Sequence, residues 1–357
     1  MGNIFGKNIT VSIFGESHGN LIGATLGGMP AGIKIDREYI SEKLLKRRPF
    51  GKISTARKES DDFKIVSGEF NGYTTGAPLT ILIENTDTKS HDYSEFLDTP
   101  RPSHADYTAQ IKYSGYQDFR GGGHFSGRVT AALVAVGAII QSALENEGIY
   151  IGTHISSLKG IRDREFSNYK EDIDALSQKQ FPTLSKECEE KMISLIENAA
   201  AEGDSVGGIL QSAVIGVPAG IGEPFFDSVE SVISHILFSI PAVKGVSFGR
   251  GFEFSELFGS EANDAYATDG ESIYTKTNNN GGILGGISNG MPIIVNTVIK
   301  PTPSIFKEQD TVSLSKLENT KLKIGGRHDP AIIHRARAVV DAAIAIAVYD
   351  LILSRRK

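Results

Sequence analysis

Cysteine is almost missing from this chain of 357 residues. Cys188 stands alone, which excludes an intrachain disulfide and a metal cage built from cysteines, and which fits a reducing compartment. Positive charge is also short, with 37 Lys and Arg against 43 Asp and Glu. The formal net charge of -6 argues against a general nucleic-acid or membrane-surface binder, because both need a net or segregated positive field. Nowhere do about 18 apolar residues stand together, and Met1 to Lys7 show no charged segment followed by a hydrophobic run. A soluble cytoplasmic protein with no nucleic-acid and no membrane partner is therefore expected. No proline- or serine-rich tract or block of like charge serves as a linker, and the 39 glycines are spread among short motifs, so a single domain over 1–357 is expected. The Gly-x-Gly-x-x-Gly opening of a dinucleotide fold, the phosphate loop ending Gly-Lys-Ser/Thr and a His-x-x-x-His pair are all lacking, which argues against a nucleotide P-loop and a catalytic metal.

What is present reads as alternating short strands and long helices. Residues 9–14 alternate like a strand, stop at Gly15-Glu16-Ser17-His18-Gly19, and resume extended character over 21–26, which puts His18 on a loop. Asp36 caps a helix that runs to Arg48, with Tyr39, Ile40, Leu44 and Leu45 on one face, and Pro49 ends it. A strand is expected over 79–84, and 99–125 reads as mostly irregular, the mark of a functional loop in a compact domain. The clearest helix spans 129–147 after Ser126; its apolar circumference means deep burial. Further helices are expected over 185–201, from a capping box of Asp227 and Glu230 to just before Pro241, and over 339–353. Cys188 shares a face of the 185–201 helix with Met192, Leu195 and Ala199, as a small packed hydrophobe does. Strands over 206–217, 243–248 and 293–299 complete an α+β reading with antiparallel sheets and helices packed between or against them. Two glycine-rich passages, 121–123 and 281–286, hint at duplication without forming a repeat.

Chemistry concentrates in Arg101-Pro102-Ser103-His104-Ala105-Asp106 and Arg120-Gly121-Gly122-Gly123-His124-Phe125-Ser126-Gly127-Arg128. Arginine offers a planar fork to carboxylate or phosphate, histidine moves protons near neutral pH, and a glycine run lets backbone N–H groups approach an anion. Lys43, Lys46, Arg47, Arg48, Lys52, Arg57 and Lys58 add a basic cluster that leaves its helix as a loop. Lys300-Pro301-Thr302-Pro303-Ser304 supplies a rigid turn with a cation and hydroxyls, and Gly326-Arg327-His328-Asp329-Pro330 sets an arginine and a carboxylate before the last helix. Together these residues point to catalysis on a phosphorylated acid.

The ordered series Phe14-Gly15-Glu16-Ser17-His18-Gly19, Arg47-Arg48-Pro49, Ile83-Glu84-Asn85-Thr86-Asp87, Arg101 to Asp106, Asp118-Phe119-Arg120-Gly121-Gly122-Gly123, Glu202-Gly203-Asp204-Ser205, Gly281 to Gly286, Lys300 to Ser304 and Gly326 to Pro330 resembles the chorismate synthase family along nearly the whole chain. The resemblance implies two antiparallel sheets enclosing a layer of long helices, a homotetramer, and a lyase of aromatic amino acid biosynthesis. That lyase converts 5-enolpyruvylshikimate 3-phosphate to chorismate with reduced FMN and no net redox change. It further implies His18 as proton donor to the departing phosphate, His104 as proton donor to the flavin, and Asp329 as the group that helps take a proton from it. Substrate contacts carried over are Ser17, Arg47, Arg48, Arg101, Arg128 and Arg327. FMN contacts are His124, Phe125, Ser126, Ala242, Gly285, Lys300, Pro301, Thr302, Pro303, Ser304 and Arg327.

Three departures from the family pattern stand out. His124-Phe125-Ser126 replaces Arg-Ser-Ser after the triple glycine, Pro241 replaces an asparagine, and Ile53 replaces an arginine assigned to nicotinamide binding. The last implies that NADPH acts only indirectly, through an external flavin reductase. A flavin oxidoreductase with net electron transfer, or a non-catalytic phosphometabolite binder, would use similar loops but different histidine chemistry.

Overall fold

The computed structural model describes residues 2–54, 60–86, 90–326 and 328–355. Runs of β-branched and small residues form one antiparallel sheet from β1 (Ile4–Phe5), β2 (Thr10–Gly15), β3 (Leu21–Gly27), β4 (Phe63–Ser67) and β5 (Leu79–Glu84), in the order β1-β2-β3-β5-β4. Val11 pairs with Leu26 and Leu26 with Leu79, so one fully buried row crosses three strands. The second antiparallel sheet holds β6 (Tyr150–Leu158), β7 (Ile161–Arg162), β8 (Gly208–Ile215), β9 (Val243–Phe248) and β10 (Ile293–Ile299), in the order β9-β10-β8-β6-β7.

Helices α1 (Arg37–Arg47), α2 (Asp106–Lys112), α3 (Thr130–Asn146), α4 (Tyr169–Gln178), α5 (Lys186–Ala201), α6 (Val229–Leu237) and α7 (Ile333–Arg355) complete the main elements. The alanine-rich helices α3 and α7 are buried along almost their whole length and pack on each other. Their contact is close because Gly137 of α3 faces Ala342 of α7: a Cβ on Gly137 would lie 2.5 Å from the Ala342 Cβ and 2.8 Å from its Cα. Helix α3 also packs on β3 and β5, and α7 on β6 and β8. At the far end of α7, Asp350 Oδ1 accepts the backbone N–H groups of Lys7, Asn8 and Ile9, tying the strand that follows to the helix. The apolar segment Gly127–Asn146 is long enough to cross a membrane, yet 83% of its most apolar window is buried inside the protein.

The α+β reading and its antiparallel strands hold, and so do the strands over 79–84, 243–248 and 293–299. Four details differ. The 99–125 segment contains α2, whose N-cap Ala105 has no side-chain hydrogen bond and so leaves no capping residue to read. Ser228, not Asp227, caps α6 through its Oγ and Ser231 N–H, while Asp227 pairs with Lys7. Helix α7 begins at Ile333, because the polar residues His334, Arg335 and Arg337 find partners inside the protein instead of ending the element. Strands β1, β4, β6 and β7 and helix α4 escaped the sequence reading altogether.

Candidate active site

The turn between β2 and β3 carries Ser17 and His18, both buried. It is held in place by the triple glycine: Ser17 N–H donates to Gly123 O at 3.1 Å, and the Nδ1 of His124 sits 2.9 Å from Gly15 O. Asn85, just past β5, braces the same turn by donating Nδ2–H to Glu16 O and Gly19 O, and its Oδ1 accepts from Arg128 Nε at 2.9 Å. Gly121 has φ +59°, a left-handed conformation open mainly to glycine, and it lies directly against the His18 ring. Its neighbour Gly122 lies against the His104 ring, where a Cβ would stand 3.4 Å from Cε1. The two histidines, 86 positions apart by number, therefore meet at consecutive glycines of one loop.

His104 is oriented by Asp106. Its Nδ1 lies 2.6 Å from Asp106 Oδ1 and 3.1 Å from Arg101 Nη2. An arginine N–H only donates, so Nδ1 cannot accept from Arg101 while donating to the carboxylate. The shorter contact decides for the Asp106 bond and leaves Nε2 as the working atom. Burial opposes the charge on Asp106, but the hydrogen bonds from Arg101 and His104 outweigh it and hold the carboxyl well below the usual carboxylate range. Lys300 reaches the same loop, donating Nζ–H to Ser103 O at 2.6 Å, where Ser103 has φ +59°. Burial and the nearby Lys244 lower the Lys300 pKa.

These parts open into one cleft of about 1240 Å³. It gathers His18, His104 and Asp329, the arginines Arg47, Arg48, Arg101 and Arg128, and also His124, Phe125, Ser126, Ala242, Lys300, Thr302, Pro303 and Ser304. Asp329 accepts from Arg335 Nη1 at 2.6 Å, and Arg335 Nε–H donates to Arg47 O at 2.9 Å, which joins the start of α7 to the end of α1. His328 also faces the cleft; burial lowers its pKa, and the bond to Gly325 O offsets part of the fall.

Several sequence expectations need correction or completion. Gly285 is not brought to this cleft: it forms the turn of a two-stranded hairpin (Ile283–Leu284 and Ile287–Ser288), and the neighbouring Gly286 packs on Ser228 at the start of α6. Pro301 is not among the cleft-lining residues, and Ser17 lies beneath Gly121 rather than at the surface of the cavity. Arg57, Lys58, Asp87 and Arg327 lie outside the described residues. Each of the four arginines in the cleft also has a carboxylate of the protein beside it. The fork of Arg101 closes on Asp106, with Nε and Nη2 each 2.7 Å from a carboxylate oxygen. Arg128 pairs with Asp61, and Arg47 and Arg48 approach the same carboxylate. Asp61 and Arg335 carried no signal in the sequence, since each stands among other charged residues with no motif spacing to single it out.

The cleft fits a flat flavin beside a multiply anionic substrate. Phe125, Phe238, Ile240, Pro303 and Val339 supply apolar surface for a planar ring, and Lys244 and Lys300 supply charge for a phosphate. Thr302 Oγ1 is buried with no hydrogen-bond partner, a polar atom left for a ligand to satisfy. Ala242, which also lines the cleft, holds φ +74°, a strained value for a residue with a side chain. Among the described residues no group of three or more potential metal ligands forms.

Comparison with known proteins agrees with this geometry. The family model described as "Chorismate synthase" matches residues 9–353. The chain is 44% identical to the chorismate synthase of Pyrococcus abyssi over 351 residues, which cover 98% of each chain. It is 42% identical to that of Dehalococcoides mccartyi over 354 residues, 99% of this chain and 97% of the relative. A crystal structure of chorismate synthase superposes with a TM-score of 0.76 at 28% identity, covering 98% of this chain and 93% of that one. With the signature loops converging in one cleft and the likeness extending from end to end, the chain belongs to the chorismate synthase family.

Proposed function

We propose that the cleft converts 5-enolpyruvylshikimate 3-phosphate to chorismate by 1,4-anti loss of phosphate and a ring hydrogen. The observation that carries the reading is the meeting of His18 and His104 at Gly121 and Gly122, inside a cavity lined by four arginines. Two carboxylates and a phosphate on one small molecule require several cationic donors in one place, and charge-assisted hydrogen bonds are the strongest available for that purpose. Arg47, Arg48 and Arg128 hold the anionic groups. Ser17 and Arg101 support the same end of the cleft from below and beside it.

His18 donates a proton to the departing phosphate, because a leaving dianion is a poor leaving group until its charge is relieved. His104, with Nδ1 committed to Asp106, presents Nε2 for proton exchange with the flavin. Asp329 stands at the mouth of α7 as the proton acceptor, oriented by Arg335. His124, Phe125, Ser126, Ala242, Lys300, Thr302, Pro303 and Ser304 would hold reduced FMN, which would supply electron density that no side chain here can offer. External reduction of FMN, with NADPH acting at a distance, is supported by Ile53, which is buried and offers no charge to a nicotinamide phosphate.

The proposal extends to architecture and setting. The packing of α3 on one sheet and α7 on the other supports a β-α-β sandwich, and one continuous hydrophobic cluster running through both supports a single domain. Phe225, Phe226, Phe252 and Phe258 are each more than three-quarters exposed, which supports a homotetramer that covers them, and the enzyme works in the cytoplasm. The decisive experiment is an anaerobic assay with chemically reduced FMN and 5-enolpyruvylshikimate 3-phosphate, following phosphate and chorismate together. Folded, FMN-loaded protein that produces neither ends the proposal. In the same assay Asp329→Asn keeps an acceptor for Arg335 but loses basicity, so kcat should fall while substrate affinity stays near wild type.

A further inference from the structure

The guanidiniums of Arg47, Arg48 and Arg128 all line the cleft, and all three turn toward one carboxylate. Arg128 Nη1 donates to Asp61 Oδ1, while Asp61 Oδ2 lies 3.6 Å from Arg47 Nη1 and 3.8 Å from Arg48 Nε. Asp61 is 3% exposed and has φ +52°, a left-handed backbone that Asp and Asn accept more readily than most residues. Asp61 sits just ahead of β4, Arg47 and Arg48 close α1, and Arg128 leads into α3, so a single side chain ties together three elements that the sequence keeps far apart.

We propose that Asp61 is a positioning residue for substrate: its carboxylate gathers the three arginines into one fixed cationic face. The proposal rests on the reading of the cleft given above. Three guanidiniums crowded together, those of Arg47 and Arg128 buried, repel one another, and that repulsion is strongest where water is excluded. A carboxylate among them offsets part of the repulsion: it accepts a hydrogen bond from Arg128 and draws Arg47 and Arg48 toward it by charge, while Gly127 O, Arg128 O and Thr130 Oγ1 accept from Arg47 and hold that fork. The face still carries a net positive charge, from three cations and one anion, for a ligand bearing two carboxylates and a phosphate. Long arginine side chains lose rotamer freedom when they are ordered, and here that loss is met during folding rather than at binding.

The test compares wild type, Asp61→Asn and Asp61→Glu by calorimetric titration with 5-enolpyruvylshikimate 3-phosphate, by steady-state turnover with reduced FMN, and by competitive inhibition with inorganic phosphate. Asparagine keeps the shape and the left-handed backbone but removes the charge. It should weaken substrate binding and raise KM about tenfold or more, with kcat changed far less, because the arginines act on bound anionic groups rather than on the breaking bond. Inorganic phosphate needs no preset trio and gains from the lost negative charge, so its inhibition constant should stay level or fall. Glutamate keeps the charge but moves it outward by one methylene, and an intermediate affinity is expected. Unchanged substrate affinity in the Asn variant, a parallel rise for substrate and phosphate, or wild-type affinity in the Glu variant would each overturn the positioning role. Wild type that binds substrate without converting it would sink the proposed function and leave this inference standing, whereas wild type that does neither would remove both.

Discussion

Replacing Gly121 with alanine would set a methyl carbon 2.1 Å from both Cε1 and Nδ1 of His18, and 3.0 Å from Ser17 Oγ. Carbon and ring atoms in ordinary contact stand about 3.5–4.0 Å apart, so the imidazole must retreat by more than an ångström or the loop must open. Gly121 also holds φ +59°, which adds about 1–2 kcal/mol of backbone strain for a residue with a Cβ. Gly122→Ala supplies the control. Its φ of +85° brings strain of the same kind, but the added carbon would meet the His104 ring at 3.4 Å, close to normal contact. Both variants should therefore lose similar thermal stability, while only Gly121→Ala displaces a reacting group. A misplacement of about 1 Å in a catalytic group costs on the order of a hundredfold, so kcat should separate the two variants by about that factor. Thermal unfolding and anaerobic turnover with reduced FMN read the two quantities. Equal kcat in both variants, or a larger loss in Gly122→Ala, would refute the placement of His18 as the proton donor.

Asp106→Ala removes the acceptor that fixes His104 and the partner of the Arg101 fork, so kcat should drop by about a hundredfold in steady-state turnover with reduced FMN; an unchanged kcat contradicts the orientation assigned here. His334, between Phe50 and Phe181, has its pKa pushed down to about 3 by burial, with Arg335 adding to the fall. Its folded-state pKa lies below its unfolded value, so the unfolded chain takes the proton first as pH drops from about 6.5, and stability should fall by about 1.4 kcal/mol per pH unit from this group. His334→Phe should be less stable at neutral pH, through loss of the Ser54 contact, yet show a flatter acid limb in denaturant titrations, and an equally steep limb would exclude His334 as its source. Gly137→Ala adds about 1 kcal/mol of helix propensity but overlaps the backbone of α7, and overpacking of this kind costs about 1–3 kcal/mol, so a net loss of roughly 1 kcal/mol is expected. A raised denaturation midpoint would show that the helix seam yields freely.

Much of the architecture could be read from the residues because each signal was local. Asp36 accepts the N–H groups of Glu38 and Tyr39 as a cap should, and the strand over 79–84 follows from a mostly apolar run, Leu79 to Ile83 broken only by Thr80, between turn residues. The start of α7 was hidden because Arg337 reads as a solvent-seeking charge; inside the fold its Nη1 and Nη2 donate to Leu176 O and Lys179 O near the end of α4. The site divided along the same line. Motif residues such as His18, His104 and Lys300 were visible by their company, and they do converge. The acidic partners were not, since what matters about Asp61 is which three arginines it touches, and that depends on chain segments brought together only in three dimensions. Gly285 stands apart from those motif residues, its glycine-rich passage forming a hairpin turn away from this cleft.

The close seam between Gly137 and Ala342 governs more than stability. Arg128 stands just before α3 and Asp329 just before α7, so the distance between the proposed anion-holding group and the proposed proton acceptor depends on how two rods are clamped about two turns or more farther along. With a rise of about 1.5 Å per residue, a slip of one rod by a single position would carry its loop by that much relative to the other, a shift as damaging as altering the loop itself. Substitutions deep in the molecule, remote from any ligand, can therefore tune turnover through alignment alone.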